Sequence, residues 1–168
     1  MTDADDECQK TKGAQGMVFG KFVSEEKDAD VVQSIYKQVC EKELGLDDSE
    51  TTEEEFCLNA LVFAGEEPAG MGRVLFDGED FRIRDVAILP EYRGDQYGDF
   101  MVRLLIDKAM MSNAQEIRLD ALAGTEGFFR KIGFETAGEA FEARGGRWQP
   151  MILHAGSIHK CCGCQQQR

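Results

Sequence analysis

Positive charge is scarce in this sequence: 19 lysines and arginines stand against 32 aspartates and glutamates, a formal net charge of -13. A protein that grips a phosphate backbone needs clustered Lys and Arg, so the deficit excludes a broad nucleic-acid partner. An acidic surface attracts cations, which fits an amine or a basic peptide, but such acidity more often serves plain solubility. Histidine is nearly missing: His154 and His159 are the only two, which argues against a histidine-based triad. No apolar run approaches the length of a membrane span, and the opening MTDADDECQK is acidic where a signal peptide is basic and then apolar. The sequence therefore predicts a cytoplasmic protein with no membrane partner. Internal repeats are absent. Without a secretion signal the six cysteines read as reduced thiols, and Cys40 and Cys57, set in apolar patterns, are expected in the core.

What is present is enough apolar material, 42% of 168 residues, for one compact domain. Residues 1–16 are polar, Asp-rich and aperiodic and predict a disordered tail. The folded domain is expected over 17–154, with a Cys-rich C-terminal tail over 155–168. MVFGKFV reads as a strand, and Ser24 followed by Glu25 and Glu26 starts a helix whose stripe is Val31, Val32, Ile35, Tyr36 and Val39. The acidic run from Asp47 to Glu55 reads as a solvated loop, with cation binding as the other reading. Phe56 to Ala64, Met71 to Phe76 and Phe81 to Leu89 are strand-length runs divided by turn residues, an antiparallel meander. Gly98 to Met111 has helical period, with Val102, Leu105, Ile106 and Ala109 on one face and Asp99, Arg103 and Asp107 on the other. A strand at Glu116 to Ala121, a helix at Thr125 to Ile132 and a final strand pair around Arg144 to Gly146 complete an α/β arrangement of one mixed sheet with helices on its faces.

Between the third meander strand and the following helix lies VAILPEYRGDQYG. Gly94 and Gly98 remove side chains where backbone N–H groups can point outward together, and the first turn of the helix adds unpaired donors and the positive end of its dipole. Arg93 contributes a permanent cation with a fork suited to phosphate oxygens. Such a loop suits an anion, although glycines also occur in strand-to-helix turns for conformation alone.

RGDQYG is similar to the acyl-CoA loop of the GNAT superfamily of N-acetyltransferases, [Q/R]-x-x-G-x-[G/A], and VAILPEY resembles the usual approach to it. LDALAGTEGFFRKIGFE resembles the second block of the family, with Phe128, Phe129, Lys131, Gly133 and Phe134 in matching places. The likeness covers roughly Met17 to His154, and GFETAGEAFEARGG resembles a small bacterial subgroup. It implies a GNAT-like, mostly antiparallel sheet flanked by helices and splayed between its fourth and fifth strands. It also implies acetyl-CoA as co-substrate, no metal, and acetyl transfer to a primary amine of a small molecule or peptide by direct attack; homodimers are common in the family. The pantetheine arm would pair with Val86, Ala87 and Ile88, a backbone N–H near Ile88 would receive the oxyanion, and the diphosphate would rest on Arg93, Gly94, Asp95, Gln96, Tyr97 and Gly98, reaching Asp99. Phe128 and Phe129 complete the cofactor side.

Three departures from the pattern bear on activity. Gln96 stands where the motif has its first glycine, Asp95 and Asp99 bring negative charge near a negative ligand, and Phe129 replaces the tyrosine that is the proton donor in many members. These motivate a second reading, an acyl-CoA-binding regulatory protein with little turnover. A thiol has a pKa of about 8.5, so its thiolate can leave unassisted, or Tyr92 or Tyr97 can help. Among carboxylates, Asp85 on the cofactor strand is the foremost candidate base, with Glu55 or Glu91 acting through water as others. Trp148 is a candidate wall of the acceptor site. The ending IHKCCGCQQQR sets Cys161, Cys162 and Cys164 near His159, soft metal donors in principle, though the spacing is no standard C-x-x-C pair; a thiol-rich metal-binding or scaffold protein is the third reading.

Overall fold

The computed structural model describes residues 17–47 and 56–160. The expected N-terminal tail, Glu55, and the thiols Cys161, Cys162 and Cys164 lie outside those residues, as does the side chain of His159. Strand β1 (Val18–Phe22) leads into helix α1 (Glu26–Tyr36), which continues as a π-helix over Lys37–Glu43. A meander follows: β2 (Phe56–Ala64), β3 (Glu67–Phe76) and β4 (Phe81–Ile88). After a 3-10 turn at Pro90–Tyr92 come α2 (Tyr97–Met111), β5 (Glu116–Leu122), α3 (Glu126–Ile132), β6 (Glu135–Thr136), β7 (Phe141–Ala143) and β8 (Gly146–His154). The chain runs past His154, the expected end of the domain, into a 3-10 helix at Ala155–Lys160, whose first amide donates to the Gln115 carbonyl at 2.9 Å.

Eight strands form one sheet in the order β1-β2-β3-β4-β5-β8-β6, with β7 on β8. All pairs are antiparallel except β4 with β5. This is the mixed, mostly antiparallel sheet the sequence predicted. The stripe read on α2 is real: Val102, Leu105, Ile106 and Ala109 are buried on one face of the sheet with Met101, and Asp99 pairs with Arg103 at 2.7 Å on the other side of the helix. Full burial of a side chain such as Leu105 contributes about 1.5–3 kcal/mol. On the opposite face α1 and the π-helix set Val32, Ile35, Tyr36, Val39 and Cys40 against Leu61, Met71 and Ala87.

Three local readings are corrected. Strand β3 starts at Glu67, not Met71, because Gly65 at φ 62 closes the hairpin in two residues and Glu67 pairs with Ala64 despite the weak strand propensity of PAG. Helix α1 is capped at Glu25 rather than Ser24, without a side-chain cap bond, and Asp28 in its first turn is buried in an ion pair with Lys21 of β1 at 2.7 Å. Cys40 is buried as expected, but Cys57 is exposed, one residue into β2 beside the exposed Phe56.

Candidate functional site

The parallel pairing of β4 with β5 lasts only three residues, Phe81 to Ile83 against Ile117 to Leu119. Beyond it β4 stays with β3 while β5 continues along β8, and a gap opens beside Asp85–Ile88. The cause is a β-bulge. Met71 faces Ala87 and Arg73 faces Arg84, so Gly72 opposes both Asp85 and Val86, and Asp85 takes a left-handed φ of 52. A sequence signal for this exists: Phe81, Ile83, Val86 and Ile88 all pack toward the α2 core, and the step of three between Ile83 and Val86 breaks the strand alternation. Past the bulge, the Leu89 amide bonds the Ala69 carbonyl at 2.9 Å. Antiparallel alternation then turns the Ile88 N–H away from β3, into the gap.

The loop that follows has its own left-handed residues, Gly94 at φ 84 and Gln96 at φ 68, before Tyr97 opens α2. The amide of Arg93 donates to the Pro90 carbonyl at 3.3 Å, whereas among the described residues no hydrogen bond takes the amides of Gly94 to Asp99. Six consecutive donors at a helix start are thus free to converge on an anion. Gln96 occupies the glycine conformation at a cost of about 1 kcal/mol. Gln96→Gly is therefore expected to raise stability by up to about 1 kcal/mol in thermal melting; a less stable variant would show that the Gln96 side chain supports the loop.

The side chains around the loop are arranged differently from expectation. The Arg93 fork is not left for a ligand: Nη1 and Nη2 bond the two oxygens of Glu43 on the π-helix at 2.5 and 2.8 Å, and Nε bonds the Ile88 carbonyl at 3.0 Å. This bond to Arg93 holds the Glu43 carboxyl below its ordinary range. In this arrangement Arg93 is a strut between the π-helix and the end of β4. Asp99 is neutralised by Arg103. Phe128 lies beside Gly98, where an added β carbon would sit 3.4 Å from its ring, while Phe129 is buried edge-on against Phe134. Tyr92 meets Tyr97 edge-on at 5.6 Å; burial, then Glu67 and Glu91, push the Tyr92 phenol up, so it stays protonated.

Asp85, the expected base, is set among arginines with its side chain only 2% exposed. Oδ2 accepts from Arg73 Nη1 and Oδ1 from Arg144 Nη2, both at 3.1 Å, and Arg84 Nε stands 3.9 Å away. Both oxygens already accept from guanidinium groups, so this carboxylate is an anchor for cations. Arg73 also donates to Asn59 at 3.0 Å and lies over the Tyr36 ring at 4.9 Å. Arg144 reaches in from the turn between β7 and β8, where it and Gly145 both have positive φ as a two-residue hairpin requires. Arginine is an unfavourable choice there, and its side chain shows what holds it: Nε to the Asp47 carbonyl at 2.9 Å, Nη2 to the Tyr36 hydroxyl at 3.3 Å, and the Trp148 ring at 5.6 Å. Burial opposes its charge, but Asp85 and then Tyr36 outweigh this and raise its pKa. Trp148 therefore lies beside the gap, as a support for Arg144. Of the carboxylates considered from sequence, Glu91 is exposed on the 3-10 turn.

The chain matches the family model described as acetyltransferase (GNAT) domain over residues 21–155. Among solved structures it resembles FeeM, an N-acyl amino acid synthase from uncultured soil microbes, at TM-score 0.73 and 11% identity over 86% of this chain and 94% of that one. It also resembles ElaA of Escherichia coli, with TM-score 0.70, 14% identity and coverage of 81% and 99%. An acyl-CoA N-acyltransferase from Pseudomonas aeruginosa gives 0.68, 13%, 81% and 99%. No curated protein is significantly similar in sequence.

Proposed function

This chain belongs to the GNAT acetyltransferase family, and from that premise we propose that it moves an acetyl group from acetyl-CoA to an amine of a small molecule or peptide. One observation carries the reading. The gap beside Asp85–Ile88, with the Ile88 N–H turned into it, is followed at once by a helix start whose amides from Gly94 to Asp99 make no hydrogen bond among the described residues. A strand-like tether ending in phosphates fits that sequence of features.

The residues divide the work as follows. Backbone groups of Val86 and Ile88 offer a strand edge for the pantetheine arm, and the amides of Gly94 to Asp99 hold the diphosphate, with Phe128 flanking Gly98. Bound acetyl-CoA supplies the thioester that the amine attacks. The Ile88 N–H is the donor for the oxyanion, and a fixed donor of this kind is worth roughly 3 kcal/mol in a site shielded from water. Arg93, tied to the Ile88 carbonyl and to Glu43, steadies the end of β4 around that donor. With phenylalanine at 129, no phenol stands at the usual place for protonating the thiolate, which at a pKa of about 8.5 leaves without help.

Titrating acetyl-CoA and longer acyl-CoAs while following thermal melting tests the pocket, with a rise in melting temperature expected. Release of free CoA is then measured across a panel of primary amines. Failure of every acyl-CoA to stabilise the protein would overturn the reading, and stabilisation without CoA release from any amine would put a binding protein in its place.

A further inference from the structure

We propose that the arginines beside the gap read a carboxylate on the acceptor, so that the substrate is an amine bearing a carboxylate, such as an amino acid. The proposal rests on the acyl-transfer reading only for the identity of the gap as the place of reaction. Arg73 and Arg84 are direct cross-strand partners. Their neighbours Val74 and Ile83 point into the α2 core, so both arginines stand on the α1 face. Arg144 joins them from the last hairpin through Asp85. Three guanidinium groups share a single carboxylate, and among the described residues no other acid pairs with any of them. This excess of positive charge is half-buried in a chain that carries -13 overall.

Arg84 marks where the missing partner belongs. Its Nη2 is buried and has no hydrogen-bond partner, an orphan donor of a kind folded proteins avoid. An unmet charged donor is costly, and an uncompensated buried cation more so, unless a ligand supplies the acceptor. The group that fits is already on display: Asp85 shows that the cluster takes a carboxylate, whose two oxygens match the guanidinium fork. Arg84 is also the first residue of β4 beyond its pairing with β5, so a carboxylate held there would place the remainder of a short amine along the open edge toward Ile88.

Calorimetric titration of α-, β- and γ-amino acids and of their amides into the acetyl-CoA-saturated protein tests this, with CoA release followed on the same pairs. At least one amino acid is expected to bind about tenfold or more tightly than its amide, the worth of one charge-assisted bond. Arg84→Met is expected to erase that preference and Arg84→Lys to keep part of it. Arg84 is partly exposed and its ion pair is the longest of the three, so these variants keep Asp85 paired to Arg73 and Arg144; melting curves check that they fold. The inference is overturned if no amino acid outbinds its amide, or if Arg84→Met leaves the preference unchanged. Preferential carboxylate binding without CoA release would uphold it and sink the acyl-transfer reading. CoA release that ignores the carboxylate would do the reverse.

Discussion

Replacing Asp85 with asparagine is expected to destabilise the protein by about 3–5 kcal/mol, the usual cost of removing one partner from a buried ion pair. Asparagine is the informative choice because it tolerates the left-handed φ of 52 at this bulge, so the loss reports charge and not backbone strain. The side-chain oxygen of asparagine can still accept one bond, but its amide nitrogen then faces a guanidinium, and Arg73, Arg84 and Arg144 are left without an anion. A typical domain is stable by about 5–15 kcal/mol, so a drop of this size is plain in urea denaturation. Combining it with Arg144→Met should recover part of the loss, since the double variant removes a cation along with its counter-charge. A general base would behave otherwise: Asp85→Asn would leave stability nearly unchanged, and kcat would fall together with the low-pH limb of its profile. That result would return Asp85 to the role its place on the cofactor strand first suggests.

Structure with a local cause is legible in this sequence, and structure with a distant cause is not. The α2 stripe, the meander turns and the loop after Leu89 are each written in a few consecutive residues, and the structure contains them all with shifts of a few residues at the ends. The partners of the site are not neighbours in sequence. Arg144 meets Asp85 across 59 positions and Tyr36 across 108, and Glu43 meets Arg93 across 50. Nothing in the period of either segment announces such a meeting. Arg93 illustrates the limit well: its residue type and position suit a phosphate, and only the placement of the π-helix shows that Glu43 occupies its fork first. Left-handed φ at Asp85, Gln96 and Arg144 tells a related story. None of the three is a glycine, so each sits in a conformation that its side chain disfavours, and all lie beside the gap or the loop, where strained backbone commonly accompanies function.

Gly70→Ala is expected to lower kcat about 100-fold while costing only about 1–3 kcal/mol of stability. Gly70 faces Ile88 across β3 and β4, and a β carbon on it would stand 2.7 Å from the Ala87 carbonyl oxygen and 3.3 Å from the Ile88 Cα. Those atoms belong to the backbone, so relief comes only by moving the strand that carries the oxyanion donor. A displacement of about 1 Å at a reacting centre is enough for a loss of this size. Gly20→Ala serves as the control. Its β carbon would meet the Leu104 Cδ2 at 2.6 Å, again too close, but that atom ends a flexible side chain in the packing between β1 and α2. It is expected to lose some stability and to keep full activity per folded molecule. Activity is best compared well below both melting temperatures, with the folded fraction set by denaturant titration. Equal kcat in the two variants would mean that the Ile88 amide does not meet the developing charge, and another donor lining the gap would have to be sought.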